Sequence, residues 1–262
     1  MFQEIVTIQN AVQVADNVYT LEFVSERIAR ATRPGQFLNI KPGNALDPLL
    51  RRAYSVHRIR EERVQIIFNI VGRGSAILAA KRPGDPLDVM GPLGVPFRYD
   101  GEFGTAILVS GGVGIAPMPV LGDALAALGR DVVNIHGART AGMIAADGRL
   151  INPIYATDDG SLGFHGNVVG ALSRYLEEHA PPDPRVFACG PNRMLMALGG
   201  FCTERGLPLE VSLECQMACG IGICQGCPVE MATGDRKYTL VCTHGPNYDF
   251  EEIILESLPS VH

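Results

Sequence analysis

Residues 105–118 read TAILVSGGVGIAPM. The stretch opens on a short run that is apolar rather than alternating and ends in glycines, as a strand buried on both faces does. Beyond the glycines, Met118, Leu121, Leu125 and Leu128 keep a helical spacing. Strand, glycine turn and helix in that order open a doubly wound α/β sheet, and the turn is where such sheets bind dinucleotides. The alternation continues through DVVNIHG (131–137), PIYATDD (153–159), a helix with Leu172 and Leu176 four apart, the strand RVFACG (185–190) and the helix NRMLMALGGFC (192–202). LPLEVSLE (207–214) reads as the last strand, which predicts a parallel-sheet domain over 100–209.

Upstream the pattern differs. VYTLEFV (18–24) alternates, with Tyr19, Leu21 and Phe23 on one face, and RVQIIFNIVG (63–72) does the same with Val64, Ile66, Phe68 and Ile70. Turn sequences at 33–35, 41–43, 82–85 and 91–94 cut these strands at short intervals. That predicts an antiparallel barrel or sandwich over 1–99. Downstream, a cysteine-rich tail fills 210–262.

Composition bounds the rest. The 262-residue chain is 47% hydrophobic and 19% charged, an ordinary globular balance. A net charge of −6 and a pI near 5.5 argue against nucleic acid or an anionic membrane as partner. The N-terminus lacks a basic start followed by an apolar run, and the most apolar stretch is broken by Gly, Pro and Asp123, so neither a signal peptide nor a membrane span is expected. A reducing cytoplasmic location follows as the default expectation. There, seven cysteines, five of them between 215 and 242, suggest metal or redox chemistry rather than disulfides.

Several short segments carry candidate chemistry, each with a plainer alternative. In RRAYS (51–55), Arg52 can grip a phosphate, Tyr54 offers a ring face and Ser55 a hydroxyl; otherwise Arg52 is a surface cation beside a core tyrosine. VGRGS (71–75) sets Gly72, Gly74 and Ser75 before a helix-like run, a place for a pyrophosphate or a simple capped turn. In SGGVGIAPM (110–118), Gly112 and Gly114 stand in the dinucleotide-loop position, but Pro117 replaces the third glycine. CGP (189–191) ends a strand at the same sheet edge, so Cys189 faces a cofactor there or is a small core residue. Asp158 and Asp159 end another strand, where acids would favour ribose hydroxyls and NAD over NADP; Arg139 argues the other way.

The tail is more specific. Cys219, Cys224, Cys227 and Cys242 give C-x4-C-x2-C-x14-C. Zinc ribbons present two C-x2-C knuckles and this tail has one. The C-x4-C-x2-C part is the plant-type [2Fe–2S] spacing, with an earlier fourth cysteine. Cys215 makes a C-x3-C with Cys219 outside that spacing and reads as a bystander able to substitute.

On these segments, together with GDPLDVMGPLG (84–94), ATDDGS (156–161) and ACGP (188–191), the whole chain resembles the ferredoxin–NADP reductase superfamily. Within it the tail MACGIGICQGC…C, with its short gap to the last cysteine, is similar to the electron-transfer subunits of class 1B dihydroorotate dehydrogenases. The resemblance implies FAD held by Arg52, Ala53, Tyr54 and Ser55, by the strand around Ile67, Phe68 and Asn69, and by Gly74 with Ser75. It implies a [2Fe–2S] cluster on the four cysteines and NAD(H) as co-substrate, for which the sheet-edge positions read above, Gly112, Gly114, Asp158, Asp159, Cys189, Gly190 and Pro191, are the candidates. It also implies a partner subunit that carries FMN and oxidises dihydroorotate, two copies of each chain forming a heterotetramer. RAYS departs from the family's usual wording and Cys215 is not one of its features. Both leave open the same machinery serving a sulfide dehydrogenase or a ferredoxin-dependent transhydrogenase, and, further off, a zinc-binding regulator. Hydride exchange with a flavin needs no general acid or base, so no catalytic side chain is expected.

Overall fold

The computed structural model describes residues 1–43, 47–145 and 150–258, so the last four residues of the tail region lie outside the described residues. The chain begins with β1 (Phe2–Ala15), β2 (Val18–Val24), α1 (Glu26–Ala31), β3 (Phe37–Lys41), β4 (Arg52–Arg60), β5 (Arg63–Asn69), α2 (Arg73–Ala79) and β6 (Pro86–Leu93). These strands close an antiparallel barrel in the order β1-β2-β5-β4-β3-β6. The alternating residues face its interior: Phe23, Leu38, Ile66, Phe68 and Val89 are all buried. Each contributes roughly 1.5–3 kcal/mol of transfer free energy. Ile70 falls just past the end of β5. Strand β5 also breaks the expected alternation, because Gln65 and Ile67 on its outer face are buried too. The cause is tertiary. Ile67 packs with Val18 against Ile115 and Ala116 of the next domain.

That domain follows as β7 (Thr105–Gly111), α3 (Met118–Ala127), β8 (Asp131–Ala138), β9 (Pro153–Thr157), β10 (Phe164–His165), α4 (Val168–His179), β11 (Pro184–Cys189), α5 (Asn192–Arg205) and β12 (Leu209–Ser212). All seven residues of β7 are buried, as a central parallel strand requires. One face of the sheet packs Ile107, Val109, Ile135 and Val186 on α4 and α5. The other packs Ala106, Leu108, Val132 and Phe187 on α3. Helix α3 stops at Ala127, so Leu128 caps it and is exposed rather than buried.

The tail adds β13 (Pro228–Met231), β14 (Tyr238–Leu240), α6 (Val241–His244), β15 (Asn247–Asp249) and β16 (Ile253–Ile254). β14, β13 and β16 form a small antiparallel sheet. β15 does something the spacing of apolar residues did not announce: it pairs antiparallel with β12 and becomes the edge of the large sheet, in the order β10-β9-β8-β7-β11-β12-β15. The sheet therefore takes residues from both sides of position 209. Tail side chains Val229, Val241, Tyr248, Ile253 and Leu255 share one buried cluster with Leu195, Leu198 and Val211. Phe250 lies so close to α5 that a Cβ on Gly199 would sit 2.0 Å from its ring.

A charged network binds the same junction. The Arg98 N–H, just past the barrel, donates to both Glu210 carboxylate oxygens at 3.0 and 3.1 Å. Its guanidinium reaches Asp249, and Glu252 at 3.1 Å. Arg185 reaches Glu210 at 3.3 Å and Asp249 at 3.4 Å. Among the described residues no helix is long and apolar enough to cross a membrane.

Candidate functional site: a cleft between barrel, sheet and cysteine loop

The three parts meet around one open cleft of about 650 Å³, within the range of small-molecule and cofactor sites. Its barrel wall is made by residues 52–55 of β4, 67–69 of β5 and 71–75 at the start of α2. Sequence places these walls side by side because β4 and β5 are antiparallel neighbours, with Val56 opposite Ile66. α2 leaves directly from the end of β5. Tyr54 stacks obliquely on Phe68, ring centroids 5.3 Å apart, and burial pushes its hydroxyl above the usual phenol range. Arg52 lies across the start of α2, so close that a Cβ on Gly74 would meet its Nε at 3.2 Å. Asn69 Oδ1 is buried here without a hydrogen-bond partner among the described residues. Such an acceptor is costly unless a bound group supplies the donor.

Ser75 does not cap α2 from outside. It is the third helical residue: its Oγ accepts from Val71 N–H at 2.9 Å and Gly72 N–H at 3.1 Å and donates to the Gly72 carbonyl at 2.9 Å. The hydroxyl thus fixes the glycine turn from within and leaves the turn's outer side to the cleft.

The sheet wall is the carboxyl edge of β7 and β11. Val113, Gly114 and Ala116 line the cleft with Cys189, whereas Gly112, Gly190 and Pro191 are not among its lining residues. Gly114 is a glycine for a reason of packing: a Cβ there would meet the Cys189 carbonyl oxygen at 2.2 Å and the Gly190 Cα at 2.6 Å. Gly112 is one for its backbone, with φ +54° and open space around it. His57 of β4 donates from Nδ1 to the Ala116 carbonyl at 2.9 Å and ties the loop to the barrel.

Strand register extends this wall inward. Ser212, Cys189, Ser110 and His136 are successive partners across β12, β11, β7 and β8. Burial pushes the Cys189 thiol far up, although the Ser212 hydroxyl donates to its sulfur. His136 bonds Ser110 Oγ through Nδ1 at 2.9 Å, and burial lowers it to about 4, so the ring is neutral at pH 7. Cys189 is thus both a cleft residue and a buried, unionised thiol. Asp158 and Asp159 stand apart from the cleft wall. Both are exposed at the carboxyl end of β9, and Asp159 closes its own turn by accepting from Ser161 N–H at 3.0 Å and Ser161 Oγ at 2.6 Å.

The third wall is the segment 212–218 that leads into the cysteine loop, with Gly226 beyond it. All seven cysteines of the chain are free thiols. Cys224 N–H donates to the Cys219 sulfur at 3.4 Å, and Val241 N–H, next to Cys242, donates to the Cys227 carbonyl at 2.9 Å, so the chain folds back on itself around the four spaced cysteines. Among the described residues no three His, Cys, Asp or Glu side chains converge as on a single ion. Burial raises the Cys219 thiol, but N–H donors from Cys224 and Ile221, at 3.4 and 3.5 Å from its sulfur, outweigh it and bring the thiol down to about 7. Such donors are what a loop around an iron–sulfur cluster must supply. A hydrogen bond from Cys215 outweighs burial at Cys227 and lowers it to about 5, whereas burial pushes Cys242 up to about 12. The barrel holds the loop as well: Asn39 of β3 donates to the Cys219 carbonyl at 2.9 Å. Asn39 carried no signal in the sequence, since it gains its role from a contact made across the fold.

A closed barrel, a parallel sheet and a shared cleft between them are the architecture of ferredoxin reductases. The fold is that of a chain in the NADH-dependent reduced ferredoxin-NADP oxidoreductase structure, described for flavin-based electron bifurcation, with a TM-score of 0.85, 28% identity and coverage of 97% of this chain and 91% of that one. It is also that of the ferredoxin reductase of carbazole 1,9a-dioxygenase, at TM-score 0.68 and 18% identity over 80% of this chain and 68% of that one. Residues 214–254 match the iron-sulfur cluster binding domain of dihydroorotate dehydrogenase B. Over nearly full length the chain is 37% identical to the dihydroorotate dehydrogenase B (NAD(+)) electron transfer subunit of Enterococcus faecalis (97% of this chain, 98% of that one). It is 36% identical to the subunit of Geobacillus thermodenitrificans (97% and 99%) and 35% to that of Desulforamulus reducens (93% and 95%). The chain belongs to the family of dihydroorotate dehydrogenase B electron transfer subunits.

Proposed function

We propose that this chain carries electrons between a partner's dihydroorotate-oxidising centre and NAD⁺, with FAD in the cleft and a [2Fe–2S] cluster on the cysteine loop. When bound, these groups supply the exchange between a hydride pair and single electrons. The observation that carries the reading is the shared cleft: its barrel wall, its Cys189 strand end and the segment running into Cys219 face one another across about 650 Å³.

Each residue has a part in holding that arrangement. Arg52 and the N–H groups at the start of α2 suit a pyrophosphate, since the first turn of a helix leaves N–H groups unpaired and a guanidinium pairs with phosphate oxygens. Tyr54, with Ala53 and Ser55, offers a ring face and polar atoms to a flavin, and Asn69 Oδ1 accepts from it. Residues 67 and 68 back that surface. The edge at Gly112, Gly114 and Gly190–Pro191 receives the nicotinamide cofactor, and the exposed carboxylate of Asp158 favours ribose hydroxyls over a phosphate, hence NAD. Asp159 shapes the turn that presents it. Cys219, Cys224, Cys227 and Cys242 would hold the cluster, a reading supported by their spacing and by the N–H donors that Ile221 and Cys224 aim at the Cys219 sulfur. The partner is an FMN-containing catalytic subunit, two copies of each chain forming a heterotetramer; the names of the relatives support a catalytic partner. Seven reduced cysteines suit the cytoplasm.

The test is anaerobic purification with assay of flavin, iron, sulfide and zinc, followed by NADH oxidation with an artificial acceptor. Flavin near one per chain, two irons and two sulfides are expected, with NADH turnover and no orotate formed by the chain alone. A colourless, zinc-loaded protein would sink the reading. The likeness to the ferredoxin-NADP oxidoreductase chain supports a second reading, the same machinery serving another oxidoreductase. Recovery of a dihydroorotate-oxidising FMN subunit with the chain, or of a different flavoprotein, decides between them.

A further inference from the structure

We infer that His57 is a positioning residue for hydride exchange, holding the glycine loop of the sheet at a fixed place opposite the barrel wall of the cleft. This role rests on the proposed function and deepens it. It begins with an irregularity in β4. Val56 pairs with Ile66 and Arg58 with Gln65, so two steps along β4 answer one along β5, and His57 is the extra residue of a β-bulge. A bulge leaves its extra residue out of the ladder and re-aims the side chains around it. In a regular strand Arg58 would share the inward face of Val56. With the bulge, Val56 stays in the barrel core, while His57 and Arg58 follow one another on the outside. Both are buried there, at 1% and 5% exposure, because the second domain covers that face.

The re-aimed ring meets the Ala116 carbonyl at 2.9 Å. A carbonyl only accepts, so Nδ1 carries the proton. Ala116 closes the short turn Gly112–Ile115, its own N–H donating to the Val113 carbonyl at 3.0 Å. The turn therefore moves as one piece with the carbonyl that His57 holds, and Val113, Gly114 and Ala116 are its cleft-lining residues. On the barrel side Tyr54 and Ser55 line the same cleft. One strand thus supplies the wall proposed for the flavin and, two residues past Ser55, the donor that fixes the loop facing it.

Other contacts dock the two domains without fixing the loop in this way. Val18 and Ile67 pack on Ile115 and Ala116, and such apolar contact is non-directional. Asp16 N–H donates to the Gly142 carbonyl at 2.9 Å, away from the cleft lining. A hydrogen bond weakens steeply as its angle departs from linear, so the His57 donor restrains the direction that packing leaves soft. Its loss should leave the domains docked and the loop free to shift. Hydride exchange is sensitive to such a shift: the reacting atoms must lie about 3–3.5 Å apart, and a misplacement of about 1 Å can cost about a hundredfold in rate.

The experiment compares the unmodified full chain with three variants. His57→Leu keeps bulk without a donor, and His57→Asn places an amide nitrogen near the position of Nδ1. Val89→Ala opens the barrel core on β6, away from the cleft lining. Backbone deuterium exchange over residues 112–118 is followed by mass spectrometry in flavin-free protein. Flavin content, the Kd for NADH and the rate at which NADH bleaches the flavin absorbance are then measured. In His57→Leu the loop should exchange faster and bleaching at saturating NADH should slow about tenfold, with Kd and flavin content within about twofold of the unmodified chain. His57→Asn should restore most of both, and Val89→Ala should lower Tm while moving neither. Unaltered exchange and bleaching in His57→Leu overturn the inference. So does a raised Kd with an unchanged saturated rate, or an equal slowing in Val89→Ala. Should His57→Leu fail to fold, His57→Gln, whose amide sits one bond further out, takes its place with the same expected and overturning results. An unmodified chain that binds no flavin, or whose flavin NADH does not bleach, would instead defeat the proposed function.

Discussion

Gly114→Ala is the sharpest probe of how the sheet edge is built. The added Cβ would lie 2.2 Å from the Cys189 carbonyl oxygen, 2.5 Å from its carbon and 2.6 Å from the Gly190 Cα. Ordinary carbon contacts are about 3.5–4.0 Å, so the methyl is roughly 1 Å too close. The obstacle is backbone of β11, whose residues are hydrogen-bonded on both sides to β7 and β12, so it cannot yield as a side-chain tip would. Overpacking of this kind costs about 1–3 kcal/mol, and the rigid obstacle puts Gly114→Ala near 3. For a domain of this size each kcal/mol lowers Tm by roughly 2–4 °C, giving a drop of roughly 6–12 °C. Because Val113 and Gly114 line the cleft, the same displacement should raise the KM for NADH. Gly112→Ala is the control. Its Cβ meets nothing within 4 Å, but the residue has φ +54°. The left-handed backbone alone costs about 1 kcal/mol, and Gly112→Asn should cost less than Gly112→Ala. Thermal melts and NADH kinetics of the three variants check the argument. Gly114→Ala melting no lower than Gly112→Ala, with unchanged KM, would refute it.

Arg52→Ala should weaken FAD binding about tenfold or more, because a charge-assisted hydrogen bond contributes about 1.5–3 kcal/mol; flavin fluorescence titration of the stripped protein measures it. Gly199→Ala gains up to about 1 kcal/mol of helix propensity but drives a methyl into the Phe250 ring, so a net loss of about 1–2 kcal/mol is expected. Phe250→Leu in the same chain should remove most of that loss, and simple additivity in the melts would count against the contact. Glu210 tests the charged junction by pH. Burial pushes its carboxyl up to about 7, against the N–H of Arg98 and the charge of Arg185, which lower it. A folded value above the unfolded one means its contribution is fully present below about pH 4.5 and is lost as pH rises through about 7. At about 1.36 kcal/mol per unit the span is about 3 kcal/mol. Glu210→Gln, neutral at every pH, should flatten the stability profile between pH 5 and 8, and an unaltered slope in denaturant melts would contradict this assignment.

The readable parts of the site are those whose chemistry is local. The walls at 52–55 and 67–69 are runs of consecutive residues on two strands that pair side by side, so they reach the cleft together. The glycine loop could be placed because a buried parallel strand must end at the ligand edge of its sheet, yet its two glycines serve different ends: Gly112 its own backbone, Gly114 the approach of β11. Asp159 shows the limit from the other side. Its Asp-Gly context allowed a ribose contact or a turn, and its carboxylate is engaged in the turn by Ser161. Cys215 shows it again, because spacing marked it as surplus while it lines the cleft and packs on the buried cluster that includes Cys227 and Cys242.

By itself, the sequence determined the succession of barrel, parallel sheet and cysteine loop, and a cysteine spacing that suits an iron–sulfur cluster. Hydrophobic period and ligand spacing act over a few residues, where the covalent chain fixes which side chains can share a face or reach one metal centre. Only the tertiary structure decided that β15 closes the edge of the large sheet, that Ile67 is buried on the outside of the barrel, and that Asn39 of the barrel holds the cysteine loop. Asn39 and Cys219 are 180 positions apart. No local pattern encodes such a pair, because the hydrogen bond exists only after barrel and sheet have packed together and the tail has been drawn back beside β12.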